Sequence, residues 1–374
     1  MKEYTCKYKY YYHYNISDLE RQIFSLPVKY GGLGIPNPVQ CCEREYTSSQ
    51  VVTENLTNLI YNQEKDLSKY NREEQLSLLK SLRKAKDKQN QENLSEIMKT
   101  ADTESKHLRR SLQLNREKGC GSWLNALPLQ KFGYALNKVE FRDAIRLRYG
   151  WSVPNTPFHC GCGAINSVDH TLKCMKGGYV AMRHNAMRDL NAEFQREVCR
   201  DFATEPQLIP LNNEIINGAQ AERAAADVSS RGMRSTFERT FFDVQVIQPN
   251  CPSYIETPVA KLYERAEKKK MSKYNSRILQ VEKGTFTPLI YSTFGGCGPA
   301  AERYHKRLAK LISWKRNEDY AKVISHMRIK FRFAILRSTL VALRGERGKK
   351  TRNVTAVSST SFNLIPSAMS YECP

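Results

Sequence analysis

Four side chains with metal-ligand chemistry fall within one short segment, CGCGAINSVDHTLKC: Cys160, Cys162, His170 and Cys174. Three thiolates and an imidazole are the donor set of a closed, four-coordinate structural zinc site. The glycines at 161 and 163 let the backbone turn tightly around an ion. His170 and Cys174, four residues apart, point the same way from one helical turn. A loop this small has no apolar core, so metal binding must supply its folding energy. His159 adjoins Cys160, and the CxC pair is tighter than the usual CxxC spacing, so His159 is an alternative to one of the thiolates.

A second constellation is built from carboxylates and a lysine. Asp227 ends an alanine-rich segment read as a strand. Asp243 sits in the middle of TFFDVQVI, a second strand whose alternation puts Asp243 and Gln245 on one face. A carboxylate inside an apolar strand is costly unless it is paired, hydrogen-bonded or bound to metal. If the strands are neighbours, Asp227 and Asp243 can share Mg²⁺, with a substrate phosphate completing the shell, and support phosphodiester hydrolysis. Tyr263, Glu267, Lys270 and Tyr274 follow at helical spacing on one face. Lys270 then stabilises developing negative charge, and Glu267 is a further partner for the metal or the lysine.

The elements that must hold these residues are legible in outline. Arg183 to Ala203 reads as a helix, residues 223–229 and 240–247 as strands joined across Arg231–Gly232, and Val259 to Glu282 as a helix. Phe286 to Ser292 reads as a strand, and FGGCG (Phe294 to Gly298) as a turn before a helix opened by Pro299, a residue favoured in the first turn. The alternation implies a mixed α/β fold. Ahead of it, Ser122 to Trp151 reads as two short amphipathic helices split at Pro128. Residues 56–118, rich in Lys, Glu, Gln and Asn with Leu76, Leu79 and Leu82 at helical spacing, read as an exposed helical connector. The expected division is 1–55, 56–118, 119–180, 181–345 and a polar, disordered tail over 346–374.

The 374 residues carry 59 Lys and Arg against 38 Asp and Glu, a net charge of +21 that points to a polyanionic partner. Residues 301–350 supply about half of it. Lys330, Arg337 and Arg344 recur every seven residues near one helical face, with Arg328, Arg332 and Arg347 close by, as a phosphate-tracking surface requires. Arg328, Lys330 and Arg332 also alternate with apolar residues, so a short strand is an alternative there. Backbone N–H groups at the FGGCG turn are a weaker candidate for phosphate. Trp123, Trp151 and Trp314 read as core, and Cys297 lacks a nearby histidine to activate it. No run reaches the ~20 apolar residues of a membrane span. The polar N-terminus lacks the apolar core of a signal peptide, and the 11 cysteines read as reduced thiols or metal ligands, so the expected location is nuclear or cytoplasmic.

Several of these motifs together resemble a known family. LPVKYGGLGI (Leu26 to Ile35), the CxC–x7–HxxxC array, Arg183-His184-Asn185, Glu205-Pro206, Asp227, Asp243 and Lys270-xxx-Tyr274 occur in order over roughly residues 20–345. The series is similar to the C-terminal region of non-LTR retrotransposon polyproteins, which carry a zinc knuckle and a restriction-like endonuclease after the reverse transcriptase. The resemblance implies a PD-(D/E)xK-like fold, with the lysine moved from the strand to the next helix and Gln245 at the usual lysine position. It implies zinc ligands Cys160, Cys162, His170 and Cys174, and catalytic Asp227, Asp243 and Lys270. Arg183 and His184 match a triplet assigned to nucleic-acid contact or to support of the active site.

The sequence departs from the family pattern in three ways. Ala226 stands where the PD motif has proline, fifteen residues separate Asp227 from Asp243, and no Asp-Asp dipeptide occurs, so the polymerase motif is missing. The expectation is a truncated or split element product. Its activity would be Mg²⁺-dependent nicking of DNA, with DNA and retroelement RNA as partners. A silent nucleic-acid-binding remnant is the alternative.

Overall fold

The computed structural model describes residues 16–64, 71–209, 225–345 and Arg347. The tyrosine-rich first residues, the start of the alanine-rich segment and nearly all of the polar tail lie outside these. The chain divides into two compact units, Met1–Ser105 and Lys106–Pro374. The connector expected over 56–118 is therefore split, and its last helix belongs to the second unit.

In the first unit, α1 (Asp18–Ser25) starts at a capping box in which Ser17 and Glu20 satisfy each other's backbone N–H groups. The helices α2 (Pro38–Tyr61) and α3 (Arg72–Glu104) follow. No residue of α2 is buried, while Leu94, Ile97 and Ala101 of α3 are buried together with Leu19 and Ile23 of α1. Leu76 is exposed, as the polar composition leads one to expect.

In the second unit α4 (Lys106–Asn115), α5 (Ser122–Asn125), α6 (Lys138–Tyr149) and α7 (Val168–Lys173) precede a mixed sheet. The sheet region runs α8 (Tyr179–Val198), β1 (Arg200–Thr204), β2 (Val228–Arg231), β3 (Arg239–Ile247), α9 (Val259–Gln280), β4 (Thr285–Ser292), α10 (Pro299–Arg316) and α11 (Tyr320–Arg344). Strands pair in the order β1-β2-β3-β4, antiparallel for the first two pairs and parallel for β3 with β4. A parallel pair needs a crossover, and α9 supplies it.

Two sequence expectations are corrected. The helix expected to reach Ala203 stops at Val198, where Cys199 turns extended; the next residues pair with β2 as β1, with Asp201 at φ 47° and a register shift after Arg200. Sheet pairing overrides local helix propensity there. The alanine-rich strand starts only at Val228, so Asp227 stands at a bend before β2 and not at a strand end.

The period of two in β3 decides what each face meets. Phe242 and Val244 join Leu289, Tyr291, Met187, Phe194, Leu308 and Phe331 in the main core, beneath α8, α10 and α11. Phe241 faces the other way and packs with Tyr274, Ile278 and Phe286 under α9. Helix α11 contributes Phe331 and Ile335 to the main core and Phe333, Leu336, Leu340 and Leu343 to another core around Trp123. A helix apolar on both faces belongs inside a domain. Among the described residues, no helix is long and apolar enough to cross a membrane.

Candidate active site and metal centre

The backbone reverses tightly after Cys160: Gly163 N–H donates to Cys160 O (2.8 Å), Cys160 N–H donates to Ala164 O (2.9 Å), and His159 bridges Ile165. The Ser167 hydroxyl then caps α7 by accepting from His170 N–H, and Cys174 closes that helix. This brings the four ligand atoms of Cys160, Cys162, His170 and Cys174 within 4.8 Å of one another. Cys160 Sγ lies 3.7 Å from Cys174 Sγ, and Cys162 Sγ lies 3.3 Å from His170 Nε2. Tetrahedral zinc, with bonds of about 2.3 Å to sulfur and 2.0–2.1 Å to nitrogen, asks for about 3.8 Å and 3.6 Å. The set can hold a metal ion and is compatible with zinc.

His159 is outside the cluster; its ring packs edge-on against Phe158. A hydrogen bond from the Ala164 backbone, the largest influence, holds the Cys162 thiol below its usual pKa. Gly161 has no room for a Cβ, because the Arg347 carbonyl occupies that place.

The carboxylates meet across the β2–β3 pair. Val228 pairs with Phe242, but Asp227 N–H also donates to Phe242 O (3.0 Å), so the ladder is irregular where Asp227 enters it. The Asp227 side chain turns onto β3: Oδ2 accepts from Val244 N–H (2.5 Å) and Oδ1 lies 3.0 Å from His184 Nε2 of α8. Asp243, 4 % exposed, lies under α9, with Lys270 Nζ 2.5 Å from its Oδ2. That contact is an ion pair and not a well-directed hydrogen bond. The Tyr274 hydroxyl donates to the same carboxylate. Burial raises the Asp243 pKa, the Lys270 ammonium opposes this, and the Asp227 charge raises it further. Asp227, Asp243, Lys270 and Tyr274 are thus brought together, with His184 behind Asp227.

Other expected residues go elsewhere. Glu267 reaches neither carboxylate in hydrogen bonding; its Oε1 accepts from Ala300 N–H (2.9 Å) and caps the first turn of α10. Arg183 is 2 % exposed, donates to Leu172 O (2.9 Å) at the end of α7, and burial lowers its pKa to about 10. It ties α8 to the cysteine–histidine loop and presents no surface to a polyanion. His184 stands apart from it, beside the Asp227 carboxylate.

The basic stripe is corrected too. Lys330 pairs with Glu193 (2.8 Å), Arg337 donates to the carbonyls of Gly133 (2.8 Å) and Ala135 (2.7 Å), and Arg344 donates to Asp143 (2.6 Å) and the Pro154 carbonyl (2.9 Å). Arg332 is 5 % exposed and donates to Cys120 O. The seven-residue repeat marks where α11 is fastened to its neighbours, and the region is helical with no strand.

At the FGGCG turn, the missing Cβ atoms of Gly295, Gly296 and Gly298 make room for Arg332, Glu117 and Glu267. The protein's own charged groups fill the turn where phosphate was considered. Cys297 is half-buried, and desolvation pushes its thiol up to about 12, which leaves it unsuited to nucleophilic work. The sequence does not single out Glu117 or the buried Arg148, and it puts Arg332 on a surface where the fold buries it; these placements become visible only when distant segments meet. The chain matches no protein-family model and no curated protein.

Proposed function

We propose that the second unit is a metal-dependent phosphodiesterase acting on DNA, with a zinc knuckle as its accessory module, as the resemblance to non-LTR retroelement endonucleases implies. The observation that carries this reading is the buried Asp243, mid-strand in β3, with Lys270 Nζ at 2.5 Å and the Asp227 side chain turned onto β3 from the bend before β2. A desolvated carboxylate whose pKa is raised by burial and by a neighbouring carboxylate attracts a cation.

The donor set of Asp227 and Asp243 suits Mg²⁺, which would supply a Lewis acid for phosphodiester hydrolysis. The chain's own residues do the rest. His184 and the Val244 N–H fix the Asp227 carboxylate, and the Tyr274 hydroxyl orients Asp243. Lys270 places a positive charge where negative charge builds on the phosphate. Zinc on Cys160, Cys162, His170 and Cys174 orders the loop that Arg183 fastens to α8.

A second reading, a catalytically silent nucleic-acid-binding remnant, has an observation in its favour. Both Asp227 oxygens already accept hydrogen bonds, and Lys270 already compensates Asp243, so the pair is satisfied without a cation. Supercoiled plasmid separates the two. The phosphodiesterase opens circles in Mg²⁺ and stops in excess chelator, whereas the remnant retards the plasmid and leaves it supercoiled in both.

A further inference from the structure

Away from the carboxylate site, a cavity of about 60 Å³ lies between α6, α7, α11 and the turn after β4. Arg332 and Thr339, seven apart on α11, line it from one helix, and Arg148 of α6 and Asp169 of α7 also line it. Arg332 is 5 % exposed. Its Nε donates to Cys120 O, but its Nη1 is buried and makes no hydrogen bond. The Thr339 hydroxyl, 2 % exposed, is also buried without a partner.

The charge around Arg332 does not balance. Burial lowers its pKa to about 10, and the nearby Arg148 charge pushes the same way. Asp169 is the one carboxylate in the lining; its Oδ1 accepts from Gln248 Nε2 (2.8 Å), and no ion pair joins it to Arg332 among the described residues. The lining therefore sets two guanidinium cations against one carboxylate. Gly295, at φ +92°, packs where a Cβ would strike Arg332, so the turn is shaped around this guanidinium.

A buried cation and an idle hydroxyl lining one small hole are the elements of an anion site. The volume exceeds what one water needs and fits a single small ion. We propose that this cavity binds a small inorganic anion, a halide or a tetrahedral oxyanion such as phosphate, held by Arg332 and the Thr339 hydroxyl. The site is separate from the proposed nuclease centre and does not depend on that assignment. An ion bound here would lock α11 to α6 and to the β4–α10 turn, all of which belong to the second unit.

The test is thermal unfolding of the full chain at fixed ionic strength, with inorganic phosphate or bromide replacing gluconate. The melting temperature should rise with anion concentration and, once the anion exceeds its Kd, climb by about 3–6 °C per tenfold increase. Thr339→Val should shift that dependence to higher anion concentration, and Arg332→Gln should abolish it. A dinucleotide, whose diester phosphate shares the chemistry, should give no Arg332-dependent rise; a rise with the dinucleotide alone would reassign the site to nucleic acid. Should Arg332→Gln fail to fold, crystals soaked in bromide decide the matter. An anomalous peak within hydrogen-bond reach of Arg332 and Thr339 supports the site, and ordered water alone overturns it. An identical melting response in wild type and Thr339→Val also overturns it.

Discussion

Asp243 stands where a carboxylate is expensive: mid-strand, buried, under a helix. The Lys270 ammonium opposes the rise in pKa that burial causes, and breaking a buried ion pair by removing one partner typically costs about 3–5 kcal/mol. Lys270→Met should therefore lose stability of that order at neutral pH as well as activity, a coupling that a surface lysine would not show. Denaturant midpoints measured beside nicking rates check this, and an unchanged midpoint would contradict the pairing.

Glu117 makes a second, independent test at this scale. Burial raises its pKa to about 7, against the opposing Tyr263 hydroxyl and Arg110 charge. A carboxyl raised above its unfolded value of 4.5 destabilises the fold once pH passes that value, and the penalty is complete above about 7. Stability should fall by about 3 kcal/mol across this window. Glu117→Gln should flatten the slope and be the more stable protein at pH 8; parallel pH curves for the two proteins would contradict the assignment. Asp243 was legible in the sequence because a charge interrupts an apolar alternation. Glu117 was not, because its burial depends on Tyr263 and a glycine turn far along the chain.

Among the elements, β3, β4, α9 and α10 were readable because each carries an unbroken local pattern: a period of two, a period of 3.6, or a proline at the first turn. Strand β1 was not, since a short polar segment directly after a helix gains its strand geometry only by pairing with β2. Helix α11 shows a different limit. Its seven-residue basic repeat is real, but a helix apolar on both faces points these charges at neighbouring carbonyls and carboxylates. Arg344→Ala would leave Asp143, 1 % exposed, without the nearest of its cations. The expected loss is about 2–4 kcal/mol, read by denaturant unfolding. A neutral result, with a weakened salt dependence of DNA binding, would restore the phosphate-tracking role. The cysteine–histidine loop is a local element as well; its spacing named the four residues that the fold brings together, and His159 falls outside them.

For the whole molecule, the net charge of +21 does not rest on the α11 stripe, whose cations are partnered within the fold. Exposed lysines such as Lys261 and Lys269 on α9 and Lys310 on α10 are free to meet a polyanion. DNA affinity should fall steeply between low and physiological salt, and charge reversal at these three positions should reduce the slope by about one unit for each phosphate no longer neutralised. Zinc should be present at about one ion per chain. Cys174→Ala should lose the ion together with the order of residues 159–174, as elemental analysis and amide exchange would show. The central claim, however, is that Asp227, Asp243 and Lys270 form a metal-dependent phosphodiesterase. The most direct test is the single-turnover rate of plasmid nicking in Mg²⁺ for wild type and Asp243→Asn, at protein concentrations where both saturate the DNA. Wild type should nick the plasmid, and Asp243→Asn should be slower by a factor of about 10³ or more, with DNA affinity nearly unchanged. Equal rates in the two proteins, or no nicking by zinc-loaded wild type, would contradict that claim.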